Sequence, residues 1–269
     1  MVRDTGKLHH MCSASLVSPG VILTAAHCFH KDDEIYEYDN DFAGRYREQR
    51  EVSEGYKAVL GKSASVWAHD GDGDRHVVGV KKIVVGEPFE YRRGSAFWDL
   101  ALVFLETCQT HNPVKIFTGA VEAPKNVTVV GFGDTETHCV YEVSAADEVD
   151  DMSKMEYSIV DCEADPACSK HGGTFCTSET ICMRRRGKAS CNGDSGAPIF
   201  YPSALRPGEH LQVGILSGGE LDFDVFSGES SFVDHARAVR LPNYTSWLKH
   251  WLRQDTCLER VEDVFVDEM

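Results

Sequence analysis

The chain has 269 residues, is 42% hydrophobic, and sets 27 basic residues against 43 acidic ones, for a formal net charge of −16. A surface this acidic repels phosphate backbones, so no nucleic-acid partner is expected, and no apolar stretch reaches the length of a membrane span. The length suffices for one large hydrophobic core or two modest ones.

Taken in chain order, the apolar runs are short and strand-like: residues 14–17, 77–85, 100–105, 127–130, 198–201 and 211–216. They are rich in Val, Ile and Phe, with Gly, Pro, Asp or Asn between them, the pattern of an all-β chain. One segment departs from it. Tyr244, Trp247, Leu248, Trp251 and Leu252 recur at helical spacing after Pro242, which predicts an amphipathic helix over residues 244–254. Acidic residues concentrate in 31–54 and 259–269 and read as a solvated loop and end, or else as attractors of cationic partners. The run Arg184, Arg185, Arg186 reads as an exposed loop.

Three strings carry chemistry. GDSGAP, residues 193–198, places Ser195 after Asp194 and between glycines. A serine hydroxyl is a useful nucleophile only when a base takes its proton and backbone N–H groups receive the charge made on the substrate. Small neighbours let the backbone turn tightly and a carbonyl approach. LTAAHC, residues 23–28, offers His27 as that base, and WDLALVFL, residues 98–105, offers Asp99. Each string alone is also compatible with an ordinary turn. The three together, in the order His, Asp, Ser, match one of the arrangements that build a catalytic triad.

TAAHC, DLAL and GDSGAP resemble the three catalytic blocks of the chymotrypsin-like (trypsin-fold) serine proteases, and the resemblance runs from about Cys12 to about Trp251. MCSASLVSPGVILTAAHC resembles the family's opening hairpin, VTVVGFGDT its VxGWG block, and YTSWLKHWL its closing helix. The resemblance implies an all-β fold of two antiparallel six-stranded β-barrels with a C-terminal α-helix, the first barrel lacking its N-terminal strand here. It divides the chain into residues 1–110, carrying His27 and Asp99; residues 111–256, carrying Ser195 and the helix; and an acidic tail, 257–269. Function follows the family: a secreted serine endopeptidase acting through an acyl-enzyme. Polypeptide substrates and proteinaceous inhibitors are the expected partners, and no cofactor is expected. The alternative is a non-catalytic homologue that binds a partner through the same scaffold. A hydrolase of esters or other acyl groups would share the chemistry.

Further assignments rest on the same resemblance. Gly193 and Ser195 supply the oxyanion-hole N–H groups. Ala189 sits at the base of the primary pocket, and Ser217, Gly218 and Gly219 form its wall. Ala189 carries no charge, which implies a neutral or apolar P1 side chain. One of Glu220, Asp222, Asp224 or Glu229 turned into the pocket would instead favour a basic one. Cys12 pairs with Cys28, and Cys168 with Cys182. The partners of Cys108, Cys139, Cys162, Cys176, Cys191 and Cys257 are not assigned, and ten cysteines favour an oxidising compartment. Sequons at Asn126 and Asn243 suit a secreted protein.

The departures from the family are informative. No IVGG-like terminus precedes Cys12, so Asp194 takes the usual free-amine partner from a longer precursor or is stabilised otherwise. No signal peptide is visible in this chain. CSAS replaces CGGS, which adds small side chains at Ser13 and Ala14. Asp70, Asp72 and Asp74 alternate as calcium ligands would, but Arg75 stands where an EF-hand needs glycine, so a polar turn without metal is expected.

Overall fold

A computed structural model of the chain describes residues 1–29, 48–49, 55–61, 76–86, 90–92, 95–123, 125–133, 152–162, 178–187, 189–224 and 231–267. Asp70, Asp72, Asp74, Glu229, Cys139, Cys168, Cys176 and most of the acidic 31–54 stretch lie outside them.

The strands in chain order are β1 (Val2–Asp4), β2 (Leu8–His10), β3 (Ser15–Ser18), β4 (Val21–Thr24), β5 (Glu48–Gln49), β6 (Tyr56–Leu60), β7 (His76–Val85), β8 (Glu90–Arg92), β9 (Ser95–Phe97) and β10 (Ala101–Leu105). They continue with β11 (Ile116–Phe117), β12 (Lys125–Gly131), β13 (Ser153–Val160), β14 (Thr180–Arg186), β15 (Pro198–Pro202), β16 (His210–Asp224), β17 (Ser231–Arg240) and β18 (Phe265–Val266). One α-helix, α1 (Thr245–Leu252), follows a 3-10 turn at Leu241–Tyr244.

Two barrel-like sheets result. The first runs β2-β1-β6-β7-β10-β4-β3 with β5 on β7, and its path is open among the described residues. The second runs β15-β12-β13-β14-β17-β16, and β16 pairs back with β15, closing a six-stranded barrel; β11 and β18 extend it. Period-2 burial explains the barrel. Along β12 the side chains of Val127 and Val129 point inward between more exposed neighbours, and on β13 Met155, Tyr157 and Ile159 do the same. Gly214 marks a close approach, since a Cβ there would fall 2.9 Å from the Val239 carbonyl oxygen.

The helix ties the sheets together. Its buried stripe of Trp247, Leu248, Trp251 and Leu252 packs in one cluster with Val17, Leu23 and Leu102 of the first sheet, Leu100 just before β10, and Ile215 of the second. Burying each such side chain contributes about 1.5–3 kcal/mol.

The last segment differs from the expected acidic tail. Cys257 is disulfide-bonded to Cys108, Val261 and Val264 are buried in the same cluster, and β18 pairs in parallel with β11. The acids there are interleaved with apolar residues, so one face docks while the charges stay in water. Arg184, Arg185 and Arg186 likewise belong to the end of β14, paired with β17, rather than to a loop. Both sequon asparagines, Asn126 and Asn243, are exposed. Among the described residues no helix is long and apolar enough to cross a membrane.

Candidate active site

His27 lies in a 3-10 turn, Ala26–Phe29, that follows β4 directly. Ala25 and Ala26 are fully buried, so only small residues fit where the chain turns. A disulfide joins Cys28 to Cys12 and closes the hairpin. Asp99 precedes β10 and is 0% exposed. Trp98, before it, adopts φ +54°, a left-handed conformation that an aromatic residue rarely takes. The Trp98 ring packs edge-on against Tyr244 at 4.8 Å, and the Leu100 N–H donates to the Trp98 carbonyl at 2.8 Å. Those contacts hold the kink that turns the Asp99 carboxylate inward.

That carboxylate accepts three hydrogen bonds. The His27 backbone N–H donates to Oδ1 at 2.8 Å, His27 Nδ1 lies 2.7 Å from Oδ2, and Ser217 Oγ donates to Oδ2 at 2.5 Å. An ionised carboxylate only accepts, so Nδ1 carries a proton and Nε2 is left as the basic nitrogen. Burial alone would lower the His27 pKa. The charge of Asp99 and its hydrogen bond outweigh that and raise it above the usual 6.5. The His27 side chain keeps 22% exposure, so solvent or substrate reaches it.

Ser195 sits in a tight turn between Gly193 (φ +92°) and Gly196 (φ +81°), conformations in which any other residue is strained. Gly196 N–H donates to the Leu216 carbonyl, and Leu216 N–H to the Ala197 carbonyl. A Cβ on Gly196 would fall 2.2 Å from Thr24 Oγ1, 2.4 Å from the Ser13 carbonyl oxygen and 3.0 Å from Ala25 N. The turn is therefore seated against Thr24, the last residue of β4, and Ala25, just before His27. It is also joined to Leu216, whose neighbour Ser217 holds Asp99. His27, Asp99 and Ser217 thus form one hydrogen-bonded cluster, the Ser195 turn packs beside it through Gly196, and no hydrogen bond joins Ser195 to His27 in this structure. Catalytic hydrogen bonds in unliganded enzymes are often long and tighten when substrate binds.

Gly193 is held through its carbonyl, which accepts from Ser13 N–H at 2.8 Å and Ser13 Oγ at 2.9 Å and lies 3.1 Å from His10 Nε2. Ser13 Oγ accepts in turn from Phe132 N–H at 2.9 Å. Burial pushes the His10 imidazole down to about 4, so it is neutral at pH 7 and donates to Gly193 from Nε2. Asp194 accepts from Gly133 N–H at 2.8 Å and Cys191 N–H at 3.0 Å. These backbone donors are two of its partners and hold the carboxylate in the way the second expectation, stabilisation without a free amine, allows.

Ala189 is buried, and Ser190, beside it, donates from N–H and Oγ to Asp234 Oδ2 at 2.8 and 3.0 Å. Gly219 is exposed, with the same aspartate beneath it. Cys182 is disulfide-bonded, as are Cys162 and Cys191. The Cys12, His27, Cys28 group, close enough to ligate a metal, is unsuited to one because its two sulfurs are joined to each other. Sequence reading missed Ser13, His10 and Asp234. Ser13 was visible as a departure from CGGS, and Asp234 as an acid in phase with the buried Ala236 and Ala238 of β17.

A family model described as Trypsin matches residues 1–247. Trypsin-1 of Astacus astacus is 28% identical over 218 residues, covering 78% of this chain and 77% of the relative. Trypsin iota of Drosophila melanogaster is 25% identical over 216 residues, covering 78% and 69%. Hypodermin-A of Hypoderma lineatum is 25% identical over 242 residues, covering 88% and 79%. The chain belongs to the trypsin family and is a chymotrypsin-like serine endopeptidase.

Proposed function

We propose that Ser195 is the nucleophile, His27 its general base, and Asp99 the carboxylate that fixes the base. The observation that carries this reading is the double hold of Asp99 on His27, through backbone N–H and Nδ1, beside the Ser195 turn. Ser195 Oγ attacks the scissile carbonyl while its proton passes to His27 Nε2. The oxygen of the tetrahedral intermediate is held by the Gly193 and Ser195 N–H groups. His27 then gives the proton to the leaving amine, the C–N bond breaks, and water, deprotonated by His27, hydrolyses the acyl-enzyme. Asp99 stabilises the imidazolium without taking its proton.

Residues 1–110 and 111–256 form the two halves of the site in this reading. The substrate is a polypeptide, and a proteinaceous inhibitor would enter the same cleft. Secretion fits the disulfides and the family. Ala189 favours a neutral or apolar P1 side chain. Replacing the nucleophile tests the assignment: Ser195→Ala lowers kcat by about a millionfold with folding intact. A folded variant that cleaves peptides at the parent rate removes Ser195 from the mechanism.

A further inference from the structure

Ser13 is 1% exposed, and each of its polar groups is engaged beside the nucleophile. Its N–H and its Oγ both donate to the Gly193 carbonyl, at 2.8 and 2.9 Å. The same Oγ accepts from Phe132 N–H at 2.9 Å. Its carbonyl accepts from Thr24 Oγ1 at 2.8 Å, and a Cβ on Gly196 would fall 2.4 Å from that oxygen. One residue thus grips the chain on both sides of Ser195, at Gly193 and at Gly196. Small residues at the end of β12 leave room for it. A Cβ on Gly131 would fall 3.4 Å from Ser13 Oγ and 2.1 Å from Asp194 Oδ1, and Gly133 N–H donates to that Oδ1.

The direction of the hydroxyl is fixed by its neighbours. Phe132 N–H can only donate, so a lone pair of Ser13 Oγ faces it. The Gly193 carbonyl can only accept, so the Oγ proton goes there. The two bonds form one chain, and each polarises the other. The carbonyl belongs to the peptide between Gly193 and Asp194, whose N–H donates to the Cys191 carbonyl at 3.0 Å. Both ends of this peptide are therefore held. His10 Nε2, 3.1 Å from the same carbonyl oxygen, is a second side-chain brace. Gly193 sits at φ +92°, and as a glycine it has other conformations open to it. With its carbonyl clamped, any rotation that turns its N–H away from the site breaks these bonds. The hydroxyl is a feature of this chain: CSAS stands where CGGS is usual, and glycine at the Ser13 position offers the backbone N–H but no link to Phe132.

We propose that Ser13 is a positioning residue for the oxyanion hole: its hydroxyl ties the Gly193 carbonyl to Phe132 and so keeps the Gly193 N–H aimed at the oxygen that becomes negative in the transition state. The role rests on the reading that Ser195 is the nucleophile and Gly193 N–H one of its two oxyanion donors. Buried under the turn, Ser13 does not reach the substrate. It acts on the transition state and leaves ground-state binding alone.

The test uses Ser13→Ala and Ser13→Gly, which remove the hydroxyl and keep the backbone N–H; the glycine variant stands in if the alanine variant does not fold. Losing one neutral hydrogen bond lowers kcat about 2- to 10-fold and leaves KM in place. A readout confined to the oxyanion separates positioning from general loosening. A peptide boronic acid adds to Ser195 Oγ and sets a boron-bound oxygen in the hole, whereas the same peptide ending in an amide binds without filling it. In both variants the boronate inhibition constant rises by the factor that kcat falls, and the amide constant stays within about twofold. His10→Phe removes the second brace. Combined with Ser13→Ala it costs more than the product of the two single losses, because each brace covers for the other. Unchanged kcat and boronate affinity in folded Ser13 variants, with a parent that cleaves peptides and reacts with a fluorophosphonate, overturn the Ser13 role alone. Boronate and amide constants that rise together place Ser13 in general packing and overturn it as well. A parent that neither cleaves peptides nor reacts with a fluorophosphonate sinks the active-site reading, and the Ser13 role with it.

Discussion

His27 and Asp99 are held to each other by side chains, whereas the turn carrying Ser195 is held by backbone. On the first side a fully buried carboxylate takes three donors, two of them from one histidine. On the second side two glycines with positive φ, and carbonyl and N–H partners at Leu216 and Ser13, set the geometry. A side-chain hold can be removed by one substitution with little change of fold. A backbone hold resists that, and fails only when something is added where glycine leaves no room. The base and the nucleophile should therefore answer differently to mutation.

With the nucleophile itself left in place, the largest effect is expected from the side-chain half. Asp99→Asn keeps the shape but leaves the wrong tautomer on His27, and kcat falls about 10⁴-fold while thermal unfolding changes little. An unchanged kcat would mean that Asp99 does not orient the base. The matching change on the backbone half is Gly196→Ala. Its methyl group meets the Ser13 carbonyl oxygen at 2.4 Å in a left-handed conformation, so stability falls by about 1–3 kcal/mol or more along with activity. Retained stability and activity would show that the turn is looser than described.

Ser217→Ala removes one donor from Asp99 and leaves the His27 contacts. A hydrogen bond to a charged group is worth about 1.5–3 kcal/mol, so kcat drops about 10- to 100-fold. Ser13→Ala removes the hydroxyl that joins the Gly193 carbonyl to Phe132 N–H but keeps its own backbone bond. The expected loss is about 2- to 10-fold, confined to kcat. An equal rise in KM would place Ser13 in substrate binding instead.

The pH profile sharpens the comparison further. A protonated imidazole cannot take the serine proton, so kcat/KM falls as pH drops through the raised His27 pKa, and the acid limb lies above pH 6.5. Asp99→Asn leaves burial without the compensating charge, so the limb of its residual activity moves to lower pH. A limb that does not move would separate His27 titration from Asp99.

The same contrast explains what could be read from residues alone. The strings around His27, Asp99 and Ser195 are short, and their chemistry depends on residue type, so they stood out. Strands β7, β12 and β15 were legible because their apolar residues are contiguous or alternate cleanly. Strands β14 and β17 were not. Arg184, Arg185 and Arg186 on one, and Asp234, His235 and Arg237 on the other, read as polar segments until the ladder between them is seen. The docking of residues 257–267 depends on the Cys108–Cys257 bridge, 149 residues apart, which no local pattern announces. Asp234 was hidden for a related reason: its meaning comes from Ser190 and Gly219, distant in sequence and adjacent only once β16 pairs with β17.

The central claim is tested most directly by a fluorophosphonate that reacts only with an activated serine, with the modified peptide located by mass spectrometry. The account predicts one adduct per chain, on Ser195, formed rapidly in the parent and lost in His27→Ala. A folded parent that stays unmodified, or carries the label on another serine, would contradict it.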